Sequence, residues 1–182
     1  MEKIHIYQDQ YDFCKPFLKK FHTALDIGCD YLEWSIVLSK DFKSIKSFDF
    51  RPKKIDLTKY PQIKLFAVGL AEKEITRYTK PGVGRIKGEE SPKGTSTMPV
   101  QLKTLDSFGF TNVDFIKIDC DGYEEKILEG GVATIEKNSP AIFCEFNPAR
   151  CSSHDWLLAH NYKLVDTYYH NGRPWDGLYL KN

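Results

Sequence analysis

Two stretches of the chain gather acids and a glycine at the end of an apolar run. In "TALDIGCDYLEWS" (residues 23–35) the run ends in Asp26, turns through Gly28 and passes Asp30 into a helical pattern. In "VDFIKIDCDGYEEK" (residues 113–126) it ends in Asp119, Asp121 and Gly122, and a helix begins with Glu124 and Glu125, where the helix dipole favours acids. Carboxylates at a strand edge accept hydrogen bonds or face a cation, and a glycine lets another group come close. Helix capping accounts for some of these acids. Two aspartates at one strand edge are more than capping requires.

The turn chemistry separates two ligand classes. A dinucleotide pyrophosphate needs the G-x-G-x-x-G cradle, and Gly28 is the only glycine between Ala24 and Gly69. A ligand without phosphate needs one close approach, and a positive sulfonium tolerates acidic neighbours. "DIGCD" therefore suits S-adenosylmethionine better than NAD; an Asp-x-Gly serving only the turn is the plain alternative. A ribose-binding acid is expected about 20 residues on, at the end of the second strand, and Asp49 in "SFDFRP" stands near that place. Arg51, two residues later, complicates the assignment: it could pair with Asp49 or stack on adenine.

Such turns are positioned by a parallel sheet. Short β-rich runs alternate with helical patterns, which predicts an α/β protein. The expected strands are "TALDIGC", "SIKSFDF", "IKLFAVGL", "NVDFIKIDC" and "PAIFCEF", with "YKLVDTYYH" and "DGLYLK" as a closing antiparallel pair. The expected helices are "YDFCKPFLKKF" with a break near Pro16, "LEWSIVLSKDF", "YEEKILEGGVATIEK" and residues 152–160. Between Ala71 and Thr104, "EITRYT" and "TSTMPVQLKTL" alternate like a β-hairpin inserted before the fourth strand, with the tip "KPGVGRIKGEESPKG" as either a solvated loop or a lid. No internal repeat or linker divides the chain, so residues 1–182 are read as one domain.

Composition narrows the partners. The 26 basic and 25 acidic residues leave a net charge of +1, which removes a general electrostatic grip on nucleic acid but not a local basic patch. The opening lacks a signal-peptide apolar core and no segment approaches the ~20 apolar residues of a membrane span. Five cysteines inside apolar runs suggest free thiols in a reduced, cytoplasmic protein. Cys29, Cys120 and Cys144 fall near adjacent strand ends, either as small buried hydrophobes or as a soft-metal site; no C-x-x-C pair supports zinc. His5 and His22 read as solvated or structural, and His154 as a surface residue. His170, between the last two strands, is either a base or a turn residue, and Trp175 in "NGRPWDG" either offers a sugar-stacking face or closes the core.

Together, "LDIGCDYLEWS", "TLDSFGFTNVDFIKIDCDGYEEKILEGG" and "AIFCEFN" resemble the FkbM family of S-adenosylmethionine-dependent methyltransferases, over roughly Ala24 to Asn147. Asp26, Gly28 and Ser35 match its first motif; Asp119, Gly122 and Glu124 match its second, with Asp121 for the usual Glu and Tyr123 for a frequent His; Glu145 matches the acid closing the fifth strand. The family's Asn is Asp30 here, its second glycine is Leu32, and the acid of its Phe-Glu-Pro is Arg51. Leu32 would crowd the methionine end of the ligand unless its helix begins later than usual.

The resemblance implies a Rossmann-like class I methyltransferase fold: a mainly parallel seven-stranded sheet with an antiparallel strand near the C-terminus. It also implies O-methylation of a small hydroxylated acceptor such as a sugar. The expected catalytic residues are Asp119, Asp121 and His170; the expected cofactor-binding residues are Asp26, Gly28, Cys29, Asp30, Asp49, Arg51, Val68 and Asp119, with no metal. Base N-methylation is disfavoured, because "DCDGY" has no proline where such enzymes carry Pro-Pro-aromatic. Leu32 and Arg51 support a second reading, a catalytically degenerate binding protein. A nicotinamide-dependent oxidoreductase is a third.

Overall fold

The structure is a computed structural model, and it describes residues 2–79, 97–145 and 152–182. In chain order its strands are β1 (Thr23–Ile27), β2 (Ser44–Phe48), β3 (Ile63–Phe66), β4 (Gly69–Leu70), β5 (Ile75–Thr79), β6 (Met98–Lys103), β7 (Val113–Ile118), β8 (Ala141–Glu145), β9 (Tyr162–His170) and β10 (Arg173–Lys181). The helices are α1 (Glu2–Cys14), α2 (Glu33–Leu38), α3 (Glu124–Glu129), α4 (Val132–Asn138) and α5 (Ser152–Ala159).

Seven strands form one sheet in the order β3-β2-β1-β7-β8-β10-β9. The first five run parallel, and β10 is antiparallel to both β8 and β9. This is the expected Rossmann-like arrangement with an antiparallel strand near the C-terminus. The order reverses between β1 and β7, the place where such sheets open a ligand crevice at their carboxyl edge. Helices cover both faces, which is why β1 is buried at every position. Tyr11 of α1 and Trp34, Val37 and Leu38 of α2 pack with Ala24, Ile45, Phe115 and Phe143 on one face. Leu128, Ile135 and Leu157 from α3, α4 and α5 pack with Leu25, Ile27, Ile116 and Ile118 on the other.

Several boundaries depart from the sequence reading for local reasons. The first helix begins earlier and ends at Cys14, giving way to a 3-10 turn over Lys15–Phe17, because Pro16 has no N–H to continue it. "IKLFAVGL" is divided between two sheets: β3 joins the large one, and β4 pairs with β6. The helix after the fourth parallel-sheet position is broken at Gly130-Gly131. A Cβ on Gly130 would lie 2.0 Å from the Ala71 carbonyl oxygen, so this glycine admits the backbone entering the insertion.

The hairpin is present: β5 and β6 pair antiparallel from Ile75↔Leu102 to Thr79↔Met98. Its tip, with the choice between loop and lid, lies outside the described residues. Among the described residues no helix is long and apolar enough to cross a membrane.

Candidate functional site

A cavity of about 370 Å3 opens where β1, β2 and β7 end. Gly28, Cys29, Asp30, Asp49, Arg51, Val68, Asp119 and Asp121 all line it. Two expected site residues do not. Asp26 is fully buried: strand alternation turns its side chain towards α2, where Ser35 Oγ donates a 2.5 Å hydrogen bond to it. Ser35 also shares a 2.7 Å hydrogen bond with Ser47 of β2. Asp26 is therefore part of the buried support beneath the turn. His170 ends β9 opposite Arg173, with its ring edge-on to Trp175 at 5.4 Å, and is not among the cavity-lining residues.

The turn after β1 is tightly specified. Gly28 has φ +79°, and a Cβ there would sit 1.9 Å from the Asp119 carbonyl oxygen. The close approach that demands glycine is thus made by the neighbouring turn of this chain. Gly28 and Cys29 N–H both donate to the Phe48 carbonyl, and Asp119 N–H donates to that of Ile27. Three turns are bonded into one floor. Leu32 has a left-handed φ of 61° and is fully buried, with α2 starting after it. It does not line the cavity, so the crowding expected of it does not arise.

Asp49 links the first two turns, accepting from Asp30 N–H at 3.2 Å through one oxygen and from Arg51 N–H at 2.6 Å through the other. It engages the Arg51 backbone, while the Arg51 guanidinium lies over the Phe50 ring at 5.2 Å. After β7, Asp121 and Gly122 take positive φ values of 55° and 95°. Glu124 is buried and accepts from both Cys120 N–H and Gly122 N–H, so it stabilises this turn from within.

The sequence reading missed Lys117. Its ammonium is buried at the cavity wall, 3.1 Å from the Gly28 carbonyl oxygen, 3.6 Å from Asp26 and 3.7 Å from Asp119. Burial alone would depress the lysine, but the Asp119 and Asp26 carboxylates more than offset it and hold it charged. The available signal was one lysine inside "VDFIKI", an otherwise apolar buried run. Tyr7, Glu33 and Lys53 also reach the cavity unforeseen, and Tyr123, matched to the second motif, lines it as well. Asp176, opposite Glu145 at the end of β8, is buried and accepts from Gln10 Nε2 at 2.8 Å. Burial, then the nearby Asp119 charge, pushes its carboxyl up to about 7.

Other side chains are settled by their surroundings. Trp175 is half exposed and does not close the core. His154 is partly buried, its Nδ1 3.0 Å from the Tyr179 hydroxyl, which corrects its reading as a surface residue. Cys29 and Cys144 are buried and Cys120 partly so, and burial raises the thiols of Cys29 and Cys120. Among the described residues no group of three His, Cys, Asp or Glu is arranged to hold a metal ion.

The chain resembles solved methyltransferase structures at low identity. It aligns with the methyltransferase FkbM from Methylobacillus flagellatus KT at a TM-score of 0.66 and 17% identity, over 96% of this chain and 47% of that one. It thus spans about half the length of that protein. An rRNA methylase from Streptococcus thermophilus aligns at a TM-score of 0.54 and 12% identity, over 94% of this chain and 93% of that one. TrmK from M. capricolum, in complex with S-adenosylhomocysteine, aligns at 0.55 and 15%, over 98% and 67% of the two chains. These likenesses establish the fold. No curated protein matches the chain in sequence. The sequence model of the methyltransferase FkbM domain matches residues 38–164, beginning after the first turn and including β7 and the turn after it with Asp119 and Asp121. That match covers more than half of the 182 residues, and the chain belongs to the FkbM methyltransferase family.

Proposed function

We propose that this protein is an S-adenosylmethionine-dependent methyltransferase acting on a hydroxyl of a small acceptor such as a sugar. The observation that carries the reading is the charge of the cavity at the strand-order reversal. Asp30, Glu33, Asp49, Asp119 and Asp121 line it against Arg51, Lys53 and Lys117, so carboxylates outnumber cations. An acid-rich wall suits a sulfonium, an amine and ribose hydroxyls and repels a pyrophosphate. Its volume suits a ligand of nucleoside size.

In this reading the turn of Gly28, Cys29 and Asp30 and the side chains of Asp49, Val68 and Asp119 would hold the donor. Phe48, Phe50 and Leu70 supply apolar wall for its base, and Arg51 lies over Phe50. When bound, the donor supplies an electrophilic methyl group. The chain's own work is then alignment and proton handling. Asp119 and Asp121, both exposed at the cavity, orient the acceptor hydroxyl or receive its proton. Buried Asp26 contributes through its neighbours and not by contact.

Calorimetric titration with S-adenosylmethionine, S-adenosylhomocysteine and NAD tests the reading. Binding of both adenosyl ligands and not of NAD is the expected result. A folded protein that binds neither adenosyl ligand refutes it. Arg51, at the position where the family carries an acid, favours one other reading: a binding protein of this fold without turnover. That reading gains if the donor binds but no methyl group is transferred across a panel of hydroxylated acceptors.

A further inference from the structure

Lys117 is a costly residue to keep where it stands. Only 4% of it is exposed, in a strand whose neighbours are Ile116 and Ile118, and a buried ion pair usually stabilises no better than apolar packing of the same volume. Its contacts are not distributed as core stabilisation would distribute them. One is the Gly28 carbonyl, in the turn after β1; one is Asp26, within β1; one is Asp119, in the turn after β7. The side chain of Asp119 is 51% exposed and lines the cavity, whereas that of Asp26 is wholly buried.

The inner half of this arrangement is closed. Asp26 Oδ2 takes the Ser35 hydroxyl, and Oδ1 has no hydrogen-bond donor among the described residues and faces the Lys117 ammonium as an ion pair at 3.6 Å. Register makes the row rigid, because Lys117, Asp26 and Ser47 sit side by side on β7, β1 and β2. The ammonium is thus anchored from behind by Asp26 and presents its remaining charge to Asp119 and the Gly28 carbonyl. Both of those belong to the cavity lining.

We propose that Lys117 is a positioning residue of the donor site, acting on the ligand through the Asp119 carboxylate and the Gly28 turn, with Asp26 as its anchor. The proposal rests on the donor-binding reading given above. Lys117 restrains an otherwise exposed carboxylate in one orientation and ties the first and fourth parallel strand ends to one cation. Replacing it frees Asp119 to turn into solvent and releases the Gly28 carbonyl.

A double-mutant cycle tests this with S-adenosylmethionine and S-adenosylhomocysteine as probes, read by calorimetry on protein shown by circular dichroism to be folded. Lys117→Met and Asp119→Asn are each expected to weaken binding about tenfold, and the double variant is expected to lose clearly less than the roughly hundredfold product of the two, because the route through Asp119 is shared. A double variant whose loss equals the product of the two single losses overturns the proposal, because the residues would then act independently. A folded Lys117→Met chain that binds like the parent also overturns it. Should Lys117→Met not fold, the same cycle on an Asp26→Asn chain removes the buried charge left behind and keeps the comparison. Failure of the unsubstituted chain to bind either ligand refutes the donor reading itself, and the proposal with it.

Discussion

Asp176→Asn should stabilise the protein, and by an amount that grows with pH. Asp176 is buried beside Glu145, and burial together with the Asp119 charge pushes its carboxyl up to about 7. In the unfolded chain an aspartate titrates near 3.9, so the difference is about 3 units, or about 4 kcal/mol at 1.36 kcal/mol per unit. The sign follows from proton counting. Between about pH 4 and pH 7 the folded state holds a proton that the unfolded state has released, so stability falls as pH rises through that window. Below about pH 4 both states are protonated and the effect vanishes. Asparagine does not titrate, and its amide oxygen can still accept from Gln10 Nε2. Urea denaturation of both chains at intervals from about pH 4 to pH 8 should give curves that diverge upward, the variant gaining up to about 4 kcal/mol at the alkaline end. Groups titrating alike in both chains cancel in the difference. A difference independent of pH would show that Asp176 is ionised in the folded protein and that the reasoning from its burial is wrong.

Gly28→Ala places a Cβ 1.9 Å from the Asp119 oxygen at a left-handed φ, and should cost about 2–5 kcal/mol from strain and overpacking combined; a melting temperature within a degree or two of the parent would refute the close approach. Ser35→Ala removes the donor to the buried Asp26 Oδ2 and should cost about 1–3 kcal/mol in chemical denaturation. A change below about 0.5 kcal/mol would mean that the bond is replaced. Trp175→Ala, at a half-exposed position, should alter stability by less than about 0.5 kcal/mol and leave donor affinity unchanged; a larger loss would return Trp175 to the core. Cys14 and Cys144 are buried away from the cavity, so an aromatic disulfide reagent should reach them only after denaturation, and prompt reaction of these thiols in the native protein would contradict their burial.

The α/β class, its parallel strands and the acids at two strand ends follow from local information. Apolar runs such as "VDFIKI" are too continuous for a half-exposed strand, and their alternation with helical patterns leaves a parallel sheet as the arrangement that covers both faces. Glycines were visible as residues, but their reasons were not. Gly28 and Gly130 answer to backbone from elsewhere, the Asp119 and Ala71 carbonyls, across long sequence separations. Local spacing also suggested that Asp26, at the end of an apolar run, faces the ligand. Only register and helix placement turned it inward, against Ser35, Ser47 and Lys117.

The same limit hid Lys117 and Asp176. The charge state and use of a side chain depend on which strands become its neighbours, and those neighbours lie far away in sequence. Sequence determined which residue types stand at the strand ends, because hydrophobic periodicity and turn chemistry are local. Tertiary structure decided which of them meet the cavity and which support it from beneath, because strand order, register and burial are properties of the assembled sheet.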